Sequence, residues 1–313
     1  MIKKLYCLIV FLLFFTTTIQ IGNANPTEEK QYESVCDEVY ICNESHLIEL
    51  VPIIGQETRF YCTISCQTMI LNFYNYTFSK YEVLYLMGGG FSLLYHPSRP
   101  LIPYSSFGCS FRPSNHEYVA LLLGLEFEPF HIDLTESNDK IWDSVWSCIK
   151  QNISKDRPIL VNLDGLMLFT KHNGICLPDE FWNDFPLKID HAITVVGFNE
   201  TNQSICYNDP MYSIFGNETE GSYIWVDVNT FKTSFARFTK FSPFFPSSYR
   251  IIIYQKPNHA SYISEEILET IFDRNIKRLK GDYRYYTSDT DFPDSYNLTK
   301  EYAYGINASK ELK

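Results

Sequence analysis

Apolar residues follow two rhythms along this chain, and the change from one to the other is its main organising signal. From Cys62 the run CTISCQTMILNFY has helical spacing: Ile64, Thr68 and Leu71 share one line, with Met69, Ile70 and Phe73 beside it. Ser79 and Glu82 form a capping box for a second helix, Lys80 to about Met87, which Gly88-Gly89-Gly90 stops. FSLLY follows as a strand, so the glycines predict a tight turn; a phosphate-cradling loop would need a following helix and a Lys. His116 to Leu123 reads as a helix ended by Gly124, and Leu125 to Ile132 as a short strand. Ile141, Val145 and Ile149, with Trp142 and Trp146, make an amphipathic helix.

After that the period shortens. Pro158 to Asn162 reads as a buried strand and Phe169 to Leu187 as an irregular loop over a cleft. His191 to Phe198, Ser204 to Asn208, Tyr223 to Val228 and Ser248 to Gln255 read as strands. Helices first and an antiparallel sheet afterwards predict an α+β fold. Residues 25–50 are polar and read as a leader to a domain over 51–256. Residues 257–313 hold a helix capped by Ser264 and running to about Leu279, then a polar, Tyr-rich tail.

At 313 residues, 45% hydrophobic and 16% aromatic, the chain can bury a substantial core and is not disordered. A net charge of −11 with no basic cluster argues against nucleic acid or an anionic membrane surface as partner. Lys3 and Lys4 precede an apolar run, Leu5 to Phe15, and Gly22-Asn23-Ala24 has the small-residue pattern of a cleavage site, so residues 1–24 read as a secretory signal. The run is short for a membrane span. A mature chain without a span, secreted or luminal (a lysosome-like compartment included), is expected.

Glycosylation sequons agree with that compartment. They occur at Asn43, Asn75, Asn152, Asn199, Asn202, Asn217, Asn297 and Asn307, where roughly two or three would arise by chance. Cys7 leaves with the signal. Cys36 and Cys42 are spaced to close a short loop as a disulfide; the partners of the others are not legible. No Cys/His spacing suits zinc, and no metal or cofactor is expected.

The candidate chemistry centres on Cys62. A thiol at a helix N-terminus sits beside unpaired backbone N–H groups and the positive end of the helix dipole, which favour the nucleophilic thiolate. Gln56, six residues earlier, has the reach to donate its amide to an oxyanion. His191 opens the alternating run AITVVGF and is the candidate base; Asp209, eighteen residues on in CYNDP, would hold its tautomer. Asp190 falls on the opposite face of its strand. Cys66, one turn inside the helix, reads as core or disulfide, and His172 as a loop residue. No GxSxG supports a serine nucleophile.

VPIIGQETRFYCTISCQTMILNFY together with HAITVVGFNETNQSICYNDP resembles the papain-like superfamily, in the branch that includes the double-glycine leader peptidases. Where that branch carries Gly-Pro after its Cys, this chain has Thr63-Ile64. SKYEVLYLMGGGFSLLYHP, HEYVALLLGLEFEP and RPILVNLDGLMLF, in that order, resemble the N-terminal domain of the butirosin biosynthesis protein H family. The resemblance covers roughly residues 51 to 256 and implies a papain-like α+β fold. It also implies an acyl group carried on Cys62, with His191 as base, Asp209 orienting it and Gln56 in the oxyanion hole. The expected substrate is a peptide or an acylated small molecule. The rival expectation is a catalytically inactive binding or structural glycoprotein on the same scaffold, which a disulfide from Cys62, to Cys66 or Cys109 for example, would favour.

Overall fold

The computed structural model describes residues 44–58, 61–88, 94–95, 113–133, 136–175, 190–239, 249–255, 263–280 and 303–304. The expected signal (1–24), the Cys36–Cys42 pair, Cys109, Cys176 and the sequons at Asn43, Asn297 and Asn307 lie outside them. The elements in chain order are β1 (Ser45–Leu47), α1 (Cys62–Phe73), α2 (Lys80–Met87), β2 (Leu94–Tyr95), α3 (Pro113–Leu123), β3 (Glu126–His131), α4 (Asn138–Ile153), β4 (Ile159–Asp164), α5 (Gly165–His172), β5 (Asp190–Asn199), β6 (Ser204–Asn208), β7 (Ile224–Asp227), α6 (Val228–Thr239), β8 (Tyr249–Gln255), α7 (Glu265–Lys280) and β9 (Ala303–Tyr304). Short 3-10 turns at Pro210–Phe215 and Glu218–Gly221 link β6 to β7.

The strands make one seven-stranded sheet, order β3-β8-β4-β5-β6-β7, with β1 also on β5, and a small β2-β9 pair. Every register given for the large sheet is antiparallel, and with the helices this is an α+β papain-like fold. Residues 45–47, expected to belong to a leader, are part of the sheet: His46 faces Phe198 and Leu47 faces Gly197. β6 takes one edge of β5, so β4 and β1 share the other.

Among the described residues the chain divides into two compact units, 44–73 with 129–253, and 74–128 with 254–304. In the first, β5 is buried from His191 to Phe198. Residues on both of its faces are apolar, as a strand covered on both sides requires. α1 packs on it and is buried on every side from Cys62 to Leu71. Two of its hydroxyls bond backbone carbonyls: that of Thr68 donates to Ile64 at 2.7 Å and that of Ser65 to Gly55 at 3.3 Å. α4 presents Trp142, Val145, Cys148, Ile149 and Ile153 to the core, as its spacing predicts.

In the second unit the capping box on α2 forms as read, with Gly88 left-handed (φ 74°) at its end. α7 is more than an appended helix. Its Arg278 donates to the Met87 carbonyl at 2.8 Å and its Asn275 to the Tyr85 carbonyl at 3.0 Å, closing the C-terminus of α2. Arg278 also donates to Asn115 Oδ1 on α3 at 2.7 Å, and Arg274 stacks 3.6 Å over the Tyr118 ring.

Two expectations are corrected. The segment from Phe169 starts as helix, because Asp164 caps α5 directly at the end of β4. The disulfide reading of Cys66 fails: Cys62, Cys66, Cys148 and Cys206 are free and buried. Core packing generates the first prediction. Phe198 is fully buried with the Trp146 ring edge-on at 6.0 Å. Phe198→Ala is expected to destabilise the protein by roughly 3–5 kcal/mol, read as a lowered urea midpoint with an unchanged slope.

Candidate active site

The site is assembled within the first unit from α1, β5 and the turn after β6. Cys62 is the first residue of α1, and no acidic side chain stands in that first turn to offset the helix dipole. His191 lies one residue inside β5, opposite Leu163 of β4. Asp209 follows β6 and N-caps the 3-10 turn: its Oδ1 accepts from the Met211 N–H at 2.8 Å, and its backbone N–H donates to the Gly221 carbonyl at 2.7 Å. The same Oδ1 lies 2.7 Å from His191 Nε2. With Nε2 taken, Nδ1 is the ring nitrogen left for the Cys62 thiol, which is near enough to strengthen the hold of the imidazole on its proton. Cys62, His191 and Asp209 are 1%, 3% and 3% exposed, so the contacts are made out of bulk water.

The charges in this pocket have a defined sign. Burial opposes the imidazolium, but the Asp209 carboxylate and its hydrogen bond, with Cys62 added, outweigh it and push His191 from 6.5 up to about 10. Burial pushes the Cys66 thiol well up, against a pull down from the Thr194 hydroxyl. It is a core thiol.

Gln56 is held by its backbone. Its N–H donates to the Pro210 carbonyl at 2.9 Å, and its carbonyl accepts from the Ser213 hydroxyl. Gly55 before it donates to the Glu218 carboxylate, and a Cβ there would meet Ser213 Cβ at 2.3 Å. The loop is thus pinned between α1 and the turn that follows Asp209. The Gln56 side chain is 1% exposed, and its Oε1 has no hydrogen-bond partner among the described residues.

Residues 48–243 match the Peptidase_C39 like family. The chain belongs to that family. Its membership supports a papain-like superfamily and a cysteine peptidase-like function. No curated protein matches the sequence.

The family match spans Gln56, Cys62, His191 and Asp209; the structure brings Cys62, His191 and Asp209 together and ties the Gln56 backbone to Pro210, next to Asp209. Three other histidines among the described residues stand apart. His46 pairs with Asp156 at 2.8 Å, His116 bonds the Tyr254 hydroxyl in the second unit, and His172 is exposed at the end of α5. Among the described residues no group of three His, Cys, Asp or Glu could hold a metal. Two features around the site were not foreseen. Tyr212, beside the Asp209 turn, packs on Phe169 and accepts from Asn173 at 3.4 Å. Gly165 lies against His191, and only the adjacency of β4 to β5 reveals it.

The sequons also divide. Asn75 and Asn202 are exposed, and Asn199 and Asn217 are partly so. Asn152 is 6% exposed, with its amide donating to the Cys148 carbonyl at 2.9 Å, so a glycan at Asn152 is incompatible with this fold.

The elevated His191 titration sets the second prediction. A histidine that binds its proton more tightly folded than unfolded adds stability that is complete below its ordinary 6.5 and is lost as pH rises through about 10. In Asp209→Asn the opposing effect of burial dominates, and the His191 ring should titrate near or below 6.5 by NMR. The stability gap between wild type and variant should be widest below that value and close above about 10. A gap that widens with rising pH would overturn this sign.

Proposed function

We propose that this protein is a secreted cysteine-dependent hydrolase of amide or peptide bonds, acting through a thioester on Cys62. The observation that carries the reading is the connected set Cys62–His191–Asp209, with the thiol at a helix N-terminus. Asp209 on the far ring nitrogen favours imidazolium, the natural counter-charge to a thiolate. The Cys62 sulfur attacks the substrate carbonyl carbon and the carbonyl electrons move to oxygen. Backbone N–H groups at the start of α1 and the Gln56 amide receive that oxyanion. His191 passes its proton to the leaving nitrogen, the C–N bond breaks and the acyl group remains on sulfur. Water then attacks with His191 as base and releases the acid and the thiol.

The resemblance to the butirosin protein H family supports a second outcome for the same thioester, transfer to an amine in place of water. The N-terminal signal pattern and the sequons, with Asn75 and Asn202 exposed, support a secreted or luminal setting, where water is the abundant acceptor. Among the described residues no helix is long and apolar enough to cross a membrane. A disulfide at Cys62 would favour the inactive-glycoprotein reading, and Cys62 is free.

The test is alkylation of the unreduced protein with iodoacetamide from about pH 4 to about pH 9, mapped by mass spectrometry. Cys62 should label rapidly well below pH 8, with the rate at those pH values lost in His191→Ala. Peptide-hydrolase activity, once a substrate is found, should fall by on the order of 10⁴-fold or more in Cys62→Ala. A Cys62 whose labelling ignores His191 would sink the proposal.

A further inference from the structure

Nothing in the contacts with Asp209 and Cys62 stops the His191 ring from swinging sideways between them. The side wall comes from the corner where β4 becomes α5. β4 pairs with β5 through Leu163 opposite His191 and Asp164 opposite Asp190, and the chain turns into helix at the next residue. That residue is Gly165. A Cβ placed on it would lie 2.5 Å from His191 Cβ, 2.9 Å from Cγ and 3.0 Å from Cδ2. The bare backbone of Gly165 therefore covers one side of His191 from its stem to its ring edge.

The corner itself is locked. Asp164 is fully buried; its Oδ1 accepts from the Leu166 and Met167 N–H groups at 3.2 and 3.4 Å. Its Oδ2 accepts from Arg237 Nε at 2.6 Å, and its carbonyl from the Ser234 hydroxyl at 2.7 Å. Both of those donors sit on α6. Helix α6 thus holds the corner from behind while the corner holds the histidine in front. We infer that Gly165 is a positioning residue for His191, and that the Arg237–Asp164 pair fixes the wall it forms. The inference deepens the proposed Cys62–His191 chemistry and rests on it for its functional meaning.

A side chain at Gly165 meets the stem of His191, which is anchored in a strand and cannot swing clear. The imidazole must shift, and displacements of about 1 Å in reacting groups cost on the order of 10²-fold in rate. A merely structural glycine would lower stability without moving the histidine. Gly197 supplies that comparison. It is on the same strand, and a Cβ there would meet Leu47 Cδ1 at 2.8 Å and Cys206 Cβ at 3.0 Å, with no His191 atom among its three nearest contacts.

The experiment uses the full chain as wild type, Gly165→Ala, Gly197→Ala and Arg237→Lys. It reads thermal stability, the pH profile of Cys62 alkylation, and the NMR titration of the His191 ring. In Gly165→Ala, alkylation below about pH 7 should slow by about tenfold or more, with its midpoint moved toward that of an ordinary thiol. The ring titration should fall from about 10 as the contact with Asp209 loosens. Gly197→Ala should lose stability and keep both profiles. Arg237→Lys keeps the charge but not the Nε geometry and should move both profiles in the Gly165→Ala direction by less; it carries the test if Gly165→Ala does not fold. Profiles of Gly165→Ala and Arg237→Lys that superpose on wild type overturn the inference, as does an equal shift in Gly197→Ala. If wild-type alkylation proves independent of His191, the proposed chemistry falls, while the ring titration still decides whether Gly165 positions the histidine.

Discussion

The 2.7 Å contact between His191 and Asp209 is the interaction on which the rest of the site depends. It joins the start of the central strand to the turn after its neighbour, and it does so where both side chains are nearly without water. An imidazole in that position would lose its proton to burial alone. The carboxylate reverses the balance, so the charge state of the site is a property of the pair. Most of the surrounding polar structure reads as support for it. The Asp209 carboxylate also caps its own turn, that turn pins the Gln56 loop, and the loop accepts a hydrogen bond from α1, which begins with Cys62. Side-chain and backbone hydrogen bonds thus link His191, Asp209, the Gln56 loop and α1 in one frame.

A second frame stands behind the first. Asp164, Arg237 and Ser234 hold a strand-to-helix corner through an ion pair and a hydroxyl-to-carbonyl bond. A buried ion pair of this kind adds little to net stability, because removing two charges from water costs about what their attraction returns. Its value is geometric. It makes the backbone at Gly165 a fixed surface, and a fixed surface is what a histidine held between Asp209 and Cys62 lacks.

The helical elements were legible wherever local rules were strong. The Ser79–Glu82 box, the glycine at 88 and the apolar stripe of α4 appear where the spacing put them. β5 and β6 were equally clear, since long apolar runs bounded by turn residues have few other uses. Helix α6 has no expectation in the sequence analysis, and the end of α5, from Phe169, falls in the stretch expected to be loop. Asp164-Gly165 looks like a turn in one dimension and becomes a helix cap only because β4 ends beside β5. β1 was missed because three residues carry no period; its place on β5 is decided by the partner strand. Asn152 matched a sequon, yet burial against α4's own backbone removes it from the surface.

By itself the sequence determined the chemistry on offer: a thiol at a helix start, a histidine at a strand start, an Asp before a proline and a Gln six residues ahead of the Cys. Each is a local pattern, and local patterns survive in one dimension. Which of nine cysteines and seven histidines meet was decided only in three dimensions. Contacts between residues more than a hundred positions apart depend on how strands pair and how tightly a helix packs on them. Cys66 and Cys62 differ by a single helical turn, yet one faces the imidazole and the other lies in the core under Thr194. Gly165 is the sharpest case: a residue with no side chain has no chemistry to read, and its role exists only because another strand brings His191 against its backbone.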